Sequence, residues 1–470
     1  MKKGIALIML ANLFNLVIGL VNGFVLPKFL SVESYAMIKT FTLYSTFAGI
    51  FHLGYLDGMY LKYGGSDMIA VSSKEYGTDL WNVTIMQLIL SVVLLIVGYV
   101  CDNFVVSAFA ISLFFINVTS CFQMFYQATG EFKLYSRALI YRTILSLIIS
   151  LVLVFLIKTD NAKLYISAQV FSSLIVVVYI GILLNRQIPF LRKQNISKIA
   201  FKDNISSGFV LMIGNFSNNL FTSIDSWLVK ILMSTFCFAV YSFAISIYAL
   251  ITVFITPLFV TLYNAFCKDH SAARVLNIKR LVLIWGFIII LLGFPAKWFV
   301  ENYMDKYTAA LPLIFILLST QVFYSVIKGV YVNYFKALKM QKQYFRQIIT
   351  MLVIAIISSL LLYIIFKTMM AIAVAGLLTA IIWLLVNEIR FKELRFKWSD
   401  WLFLSILLVI YILSGLYLPS ILGFFIYLIS MIAISLIFMR QQTNMMLALL
   451  KSKIIGLLKK VNEHKFYNTP

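Results

Sequence analysis

Apolar residues in this chain run in blocks of about 20 or more, separated by short polar breaks, and not as alternating ten-residue strands. In lipid an unpaired backbone group costs several kcal/mol, so spanning segments are helices or closed barrels; blocks of this length read as helices. The pattern predicts fourteen spans, near 5–29, 35–62, 80–101, 104–126, 138–157, 163–184, 207–232, 236–266, 278–300, 309–335, 346–366, 369–389, 401–418 and 420–439. The expectation is an all-α integral membrane protein with about 14 transmembrane helices.

The polar positions repeat. Shifting residues 11–36 by 203 lays Asn12 on Asn215, Asn15 on Asn218, Asn22 on Asp225, Phe24 on Trp227 and Ala36 on Ala239. Shifting FYQATGEFKLYSR (Phe125–Arg137) by 209 lays it on YFKALKMQKQYFR (Tyr334–Arg346), matching Ala128 with Ala337, Lys133 with Lys342, Tyr135 with Tyr344 and Arg137 with Arg346. Two echoes at nearly one offset predict two related halves. An even number of helices per half makes them a parallel repeat, related by an axis along the membrane normal. The expected organisation is an N-lobe at 1–184 (helices 1–6), an inter-lobe loop at 185–206 and a C-lobe at 207–390 (helices 7–12). Helices 13 and 14 follow at 391–439, then a basic amphipathic tail at 440–470.

Composition agrees, with 62% hydrophobic and 12% charged residues; no soluble domain of this size hides so much apolar surface. The Met1-Lys2-Lys3 start lacks a following cleavage site and reads as an uncleaved first span. With both termini cytoplasmic, cytoplasmic segments hold most of the 39 Lys and Arg, as the positive-inside rule requires. The net charge of +22 therefore reflects insertion and anionic membrane lipids, not a nucleic-acid partner. In the tail, Met446, Leu449, Leu450, Ile454, Leu457, Leu458 and Val461 recur at helical spacing opposite lysines, predicting an interfacial helix. The longest outer loop is expected around Lys297–Lys306, too short for an outer domain. The four cysteines, Cys101, Cys121, Cys237 and Cys267, have no metal spacing and read as core thiols.

Candidate chemistry rests on ionisable groups inside spans, each costing at least about 2.5 kcal/mol at mid-bilayer. These are Lys39, His52 and Asp57 in helix 2, Asp225 and Lys230 in helix 7, and Lys328 in helix 10, with Lys28 marginal at the end of helix 1. Lys28, Lys39 and Lys230 also fit snorkelling to the headgroups, and Asp57 fits a cap or a pair with Lys62. On an unbroken helix His52 and Asp57 fall on nearly opposite faces. Asp225 and Lys230 pair loosely or face a wet cavity. No Walker A, HExxH, GxSxG or paired-carboxylate loop occurs, so no catalytic residue, cofactor or metal site is expected. The Asn-x-Ser/Thr triplets at Asn82, Asn117, Asn195 and Asn204 read as chance.

Four stretches resemble the polysaccharide/O-antigen flippases of the multidrug/oligosaccharidyl-lipid/polysaccharide exporter superfamily. LGYLDGMYLKYGG (Leu53–Gly65) resembles that family's Gly-rich end of helix 2. IDSWLVKILMSTFCFAVYSFA (Ile224–Ala244) is similar to its helix 7 and the start of helix 8. YTAALPLIFIL (Tyr307–Leu317) and YFKALKMQKQYFR (Tyr334–Arg346) look like its helix 10 entry and helix 10–11 turn. The chain departs from the family in having Lys230 but no arginine in helix 7, and no cation in helix 1 before Lys28. The resemblance implies two six-helix lobes around a central cavity in the bacterial cytoplasmic (inner) membrane, with alternating access for a polyprenyl-pyrophosphate-linked glycan of an O-antigen or capsule. Membrane lipids and glycan polymerase or export machinery are the implied partners. A pyrophosphate in lipid calls for cations facing water, which points to Lys39, Lys230, Lys328 and Lys28 with His52 beside them. Asp225 and Asp57 are then the ion-coupling candidates. A cation-coupled multidrug antiporter of the same fold is the alternative; a glycan polymerase or ligase is a third reading, disfavoured by short outer loops.

Overall fold

The computed structural model describes residues 19–187, 196–253, 255–446 and 448. The start of the first predicted span, the middle of the 185–206 loop and most of the amphipathic tail lie outside the described residues. Among the described residues there are helices and no strands. They are α1 (Leu26–Phe29, after a π turn at Val21–Val25), α2 (Val32–Ser45), α3 (Tyr55–Tyr63), α4 (Ser73–Val100), α5 (Phe104–Ala128), α6 (Phe132–Leu151, running into a π turn at Val152–Ile157), α7 (Ala162–Gln187), α8 (Lys198–Leu232) and α9 (Thr235–Thr252). Then come α10 (Thr256–Lys268), α11 (Ala272–Ile290), α12 (Gly293–Tyr303), α13 (Leu311–Val326), α14 (Val332–Ala337, joined to α13 by a π turn at Ile327–Tyr331), α15 (Gln341–Phe366), α16 (Met369–Arg390), α17 (Trp398–Tyr417) and α18 (Ser420–Phe438). Each of the thirteen predicted spans from 35–62 onward coincides with one helix or one interrupted helix among the described residues. Among the described residues, ten helical stretches are long and apolar enough to cross a membrane, and the protein is a multi-pass membrane protein.

Both sequence echoes are local structures in register. At the shorter offset, α1 ends at Phe29 and α8 at Leu232; α2 begins at Val32 and α9 at Thr235. The N-cap of each second helix is a serine accepting from the backbone N–H three residues on: Ser34 to Ser31, and Cys237 to Ser234. At the longer offset, α5 ends at Ala128 and α14 at Ala337, with Gly130 (φ 78°) and Lys339 (φ 57°) at matching left-handed positions. The N–H groups of Glu131 and Met340 close both turns onto Tyr126 and Phe335 at 2.8 Å.

The second predicted span is broken, not continuous. Between α2 and α3 lies a 3₁₀ turn at Ala48–His52, followed by left-handed Leu53 (φ 51°) and Gly54 (φ 85°). A break inside a bilayer leaves carbonyls without helical partners, and neighbouring helices must satisfy them. Asn117 on α5 donates to the Ala48 carbonyl at 3.0 Å, and Gln87 on α4 donates to the Phe51 carbonyl at 3.0 Å. Asn117 also donates to Gln87 at 2.8 Å. The asparagine of one apparently accidental triplet thus caps a broken helix. The predicted span 236–266 is also divided, between α9 and α10, where Pro257 opens the new helix.

The chain divides into two compact units, Met1–Ser246 and Ile247–Pro470. The division falls inside α9, so α8 packs within the first unit, against α3. That packing is backbone on backbone. A Cβ on Gly58 would lie 2.0 Å from the Asn204 carbonyl oxygen, and one on Gly208 would lie 2.1 Å from that of Gly54. Gly54 and Gly58 form a small-xxx-small stripe, the pattern that lets membrane helices approach this closely. Beneath it, Tyr55, Met59 and Tyr63 of α3 pack with Tyr76, Phe122 and Phe125 of α4 and α5.

In the second unit a buried ion pair ties α11 to α16. Lys279 is fully buried and donates to Glu388, to the Tyr331 hydroxyl at 2.8 Å and to the Leu394 carbonyl at 2.7 Å. The backbone N–H of Phe396 donates to the other Glu388 oxygen at 2.7 Å. Nearby, Arg280 donates twice to Asp400 at the start of α17. The stretch expected as the longest outer loop is instead mostly helical: α12 ends at Tyr303 and a 3₁₀ turn follows. Lys297 is buried there and donates to the carbonyls of Gly415 and Leu418, closing the C-terminal end of α17. The core-thiol expectation holds for Cys121; Cys101 and Cys267 are exposed at helix ends.

Candidate functional site

Three of the predicted lysines, two in the first unit and one in the second, each sit beside an aromatic ring. Lys39 on α2 donates to the Ser246 hydroxyl at 2.7 Å, and its ammonium lies 5.2 Å from the centre of the Tyr35 ring. Lys230, near the end of α8, lies 5.0 Å from the Phe238 ring centre. Lys328, in the π turn between α13 and α14, lies 5.2 Å from that of Tyr324. All three are half-buried, and among the described residues none has a carboxylate within 4.0 Å. An aromatic face offsets part of the cost of a cation in lipid, about 0.5–2 kcal/mol, without neutralising it. The fourth predicted lysine, Lys28, is exposed on the short α1.

The acidic candidates are held differently. Asp225 accepts from the Tyr241 hydroxyl at 2.9 Å and from the Ser226 N–H at 2.8 Å. Asp57 accepts from the Asn215 side chain at 3.1 Å, bridging α3 and α8. The separation of His52 and Asp57 on opposite faces is overturned: His52 Nε2 lies 3.8 Å from Asp57 Oδ2. The cause is the break, since left-handed Leu53 and Gly54 reverse the angular arithmetic of a continuous helix. His52 Nδ1 accepts the Gly54 N–H at 3.2 Å, which fixes the ring over the break. Asp57 does not pair with Lys62; Lys62 donates to Asp79 at 2.8 Å and contacts Glu75 at 2.9 Å. Around this region Trp227 stacks on Tyr44, with ring centres 5.5 Å apart.

Sequence reasoning passed over Asp79. It is fully buried and accepts from Tyr55 (2.9 Å), Tyr63 (2.7 Å), Lys62 (2.8 Å) and Asn204 (3.0 Å), so one carboxylate joins α3, α4 and α8. A cavity of about 920 Å³ opens beside it, lined in part by Lys62, Lys74, Glu75, Ser197 and Asp203. Lys279 and Glu388 were missed for the same reason. Each stands at the margin of a hydropathy block, where a buried pair and a headgroup charge look alike in sequence. Tyr55 and Tyr63, eight residues apart on α3 and both bonded to Asp79 at the start of α4, were the available signal.

No family model and no curated protein matches this sequence. Among solved structures the fold is similar to that of the lipid II flippase MurJ in an inward closed conformation: TM-score 0.70, 13% identity, covering 94% of this chain and 99% of that one. It is also similar to an inward-facing multidrug resistance MATE family transporter of the MOP superfamily, with TM-score 0.56, 15% identity, and 82% and 95% coverage. At these identities what is shared is the fold. The chain has the all-helical membrane fold found in a flippase and in a multidrug transporter.

Proposed function

We propose that this protein is a flippase that carries a polyprenyl-pyrophosphate-linked oligosaccharide repeat unit across the cytoplasmic membrane by alternating access. The observation that carries this reading is that Lys39, Lys230 and Lys328 have no carboxylate within 4.0 Å among the described residues. A cation kept in lipid without a counter-ion is costly unless a ligand supplies the negative charge. Lys39 and Lys230 in the first unit, and Lys328 in the second, are each suited to a phosphate of a lipid-linked glycan, and Trp227 and Tyr44 offer a ring surface to its sugars. Lys28 is a fourth candidate at the membrane edge. A carrier of organic cations would call for the opposite polarity.

One observation favours coupling to an ion. Among the described residues, Asp225 and Asp57 accept hydrogen bonds from neutral donors, and His52 Nε2 stands 3.8 Å from Asp57. Either suits a proton or cation that drives the cycle, and the same feature supports the second reading, a cation-coupled multidrug antiporter.

Deletion of the gene, with analysis of surface glycan and lipid-linked repeat units, tests the proposal. Loss of surface polysaccharide with repeat units stranded on the inner leaflet, unrescued by Lys39→Ala or Lys328→Ala proteins that still insert, is the expected result. Normal glycan with altered resistance to cationic dyes would promote the antiporter instead.

A further inference from the structure

One face of α8 is polar at mid-span. Between Ile213 and Leu228 its exposed residues are Asn215, Asn218, Asn219 and Thr222; every other residue in that interval is buried or half-buried. At about 100° per residue the four fall within a single arc of about 100°. The middle of α4 is the opposite. Every exposed residue between Asn82 and Gly98 is apolar, Leu88, Ile89, Val92 and Val93 among them. An amide turned to hydrocarbon loses its bonds to water and gains none, so polar groups at this depth face water or protein. The exposed strip of α8 therefore borders water, while that of α4 borders lipid.

Much of the strip's hydrogen-bonding capacity is unspent. Asn215 donates to Asp57 Oδ1 at 3.1 Å and keeps its amide oxygen and its second N–H. The Thr222 hydroxyl shares its proton between the Asn218 and Asn219 carbonyls, at 3.1 and 2.9 Å, and keeps lone pairs. The side-chain amides of Asn218 and Asn219 have no partner among the described residues. The internal repeat keeps two of these positions in sequence, Asn12 for Asn215 and Asn15 for Asn218.

A neutral surface with free N–H and C=O groups side by side suits one kind of ligand. A phosphate only accepts, so the amide oxygens would oppose it. An organic cation brings positive charge, so the N–H groups would oppose it. A sugar ring carries hydroxyls that donate and accept at once, and an N-acetyl group is itself an amide. Charge for a phosphate stands elsewhere on the same helix. Lys230 is eleven residues beyond Asn219, about 16 Å at 1.5 Å per residue.

We propose that the asparagine face of α8 reads the glycan of the transported lipid, its amides bonding sugar hydroxyls and N-acetyl groups. The assignment rests on the flippase reading and adds to it the place where sugars are recognised. It also predicts discrimination against a methylated glycan, which keeps its acceptors but loses the donors that the asparagine oxygens need.

Two measurements on the full-length protein in nanodiscs test this. In the first, the four native cysteines are replaced by alanine, and labelling by a charged, membrane-impermeant methanethiosulfonate is timed at single introduced cysteines. Asn218→Cys and Thr222→Cys are expected to react about tenfold faster than Val93→Cys or more, because a thiol ionises in water and not in lipid. Equal, slow rates would mean a lipid-facing strip and overturn the proposal. The second compares a C15 prenyl pyrophosphate with the same lipid bearing chitotriose, a chain long enough to cross the interval from Lys230. Wild-type protein is expected to bind the glycosylated probe about tenfold more tightly, the effect of one or two hydrogen bonds. Asn218→Ala/Asn219→Ala should abolish that difference while the bare probe still binds, and Asn218→Gln/Asn219→Gln, which keeps both amides, should retain it. Lys230→Ala should weaken both probes. Equal binding of the two probes by wild type, or equal weakening of both by the alanine variant, would overturn the sugar assignment. Fast labelling in a protein that binds neither probe would instead sink the flippase reading beneath it.

Discussion

At Gly58 the nearest obstacle to a side chain is backbone, not a movable group, and this decides what the residue tolerates. Gly58→Ala forces α3 and α8 apart and is expected to cost about 1–3 kcal/mol, the range for overpacking, read as a lower Tm in detergent. At Gly376 on α16 a Cβ would meet nothing within 4 Å among the described residues; Gly376→Ala should be neutral or stabilising by up to about 1 kcal/mol. The Lys279–Glu388 pair behaves like other buried pairs. Lys279→Met leaves Glu388 buried without its cation and is expected to lose about 3–5 kcal/mol, with Glu388→Gln in the same chain recovering part of it; thermal unfolding of both variants checks this. These residues also mark where the sequence stopped being readable. Asp225, Lys230 and Lys328 stand out because they interrupt apolar runs. Asp79, Lys279 and Glu388 lie at the ends of runs, and only the depth to which each helix end is packed separates a buried charge from a solvated one.

Among the elements, the broken second span shows how a bilayer fold keeps an irregular stretch. Removing Asn117 as a donor leaves the Ala48 carbonyl unsatisfied and also unties Gln87. Asn117→Leu is therefore expected to destabilise by about 1–3 kcal/mol and to raise the reactivity of a cysteine placed at Leu53, measured by maleimide labelling. Periodicity located this element correctly and failed on its interior, because helical arithmetic assumes continuity and a Gly54 turn cancels it. That one turn explains why His52 and Asp57, assigned to opposite faces, stand side by side. The matched turns after α5 and α14 give a cleaner experiment. Gly130 occupies one left-handed position and Lys339 the other. Lys339→Gly should stabilise by about 1 kcal/mol, since a side chain at positive φ carries a strain that glycine lacks; Gly130→Lys should do the reverse, with paired Tm measurements as the check.

For the molecule as a whole, the all-helical, membrane-spanning class was legible, and the two sequence echoes returned as matched local turns, because hydropathy patterning survives where identity to similar solved structures is as low as 13–15%. Which helices close on one another was not legible, and the α3–α8 crossing belongs to that hidden layer. It also sets an order of assembly. Asp57 and its partner Asn215 are 158 residues apart, so α3 enters the bilayer long before α8 has been synthesised. Until then its glycine stripe and the Asp57 carboxylate face lipid or a temporary neighbour. The first unit is therefore completed by chain that the sequence repeat assigns to the second half. A ribosome stalled after residue 184 would release six helices with an open seam, a natural substrate for membrane quality control, whereas one stalled after residue 246 would release a closed body.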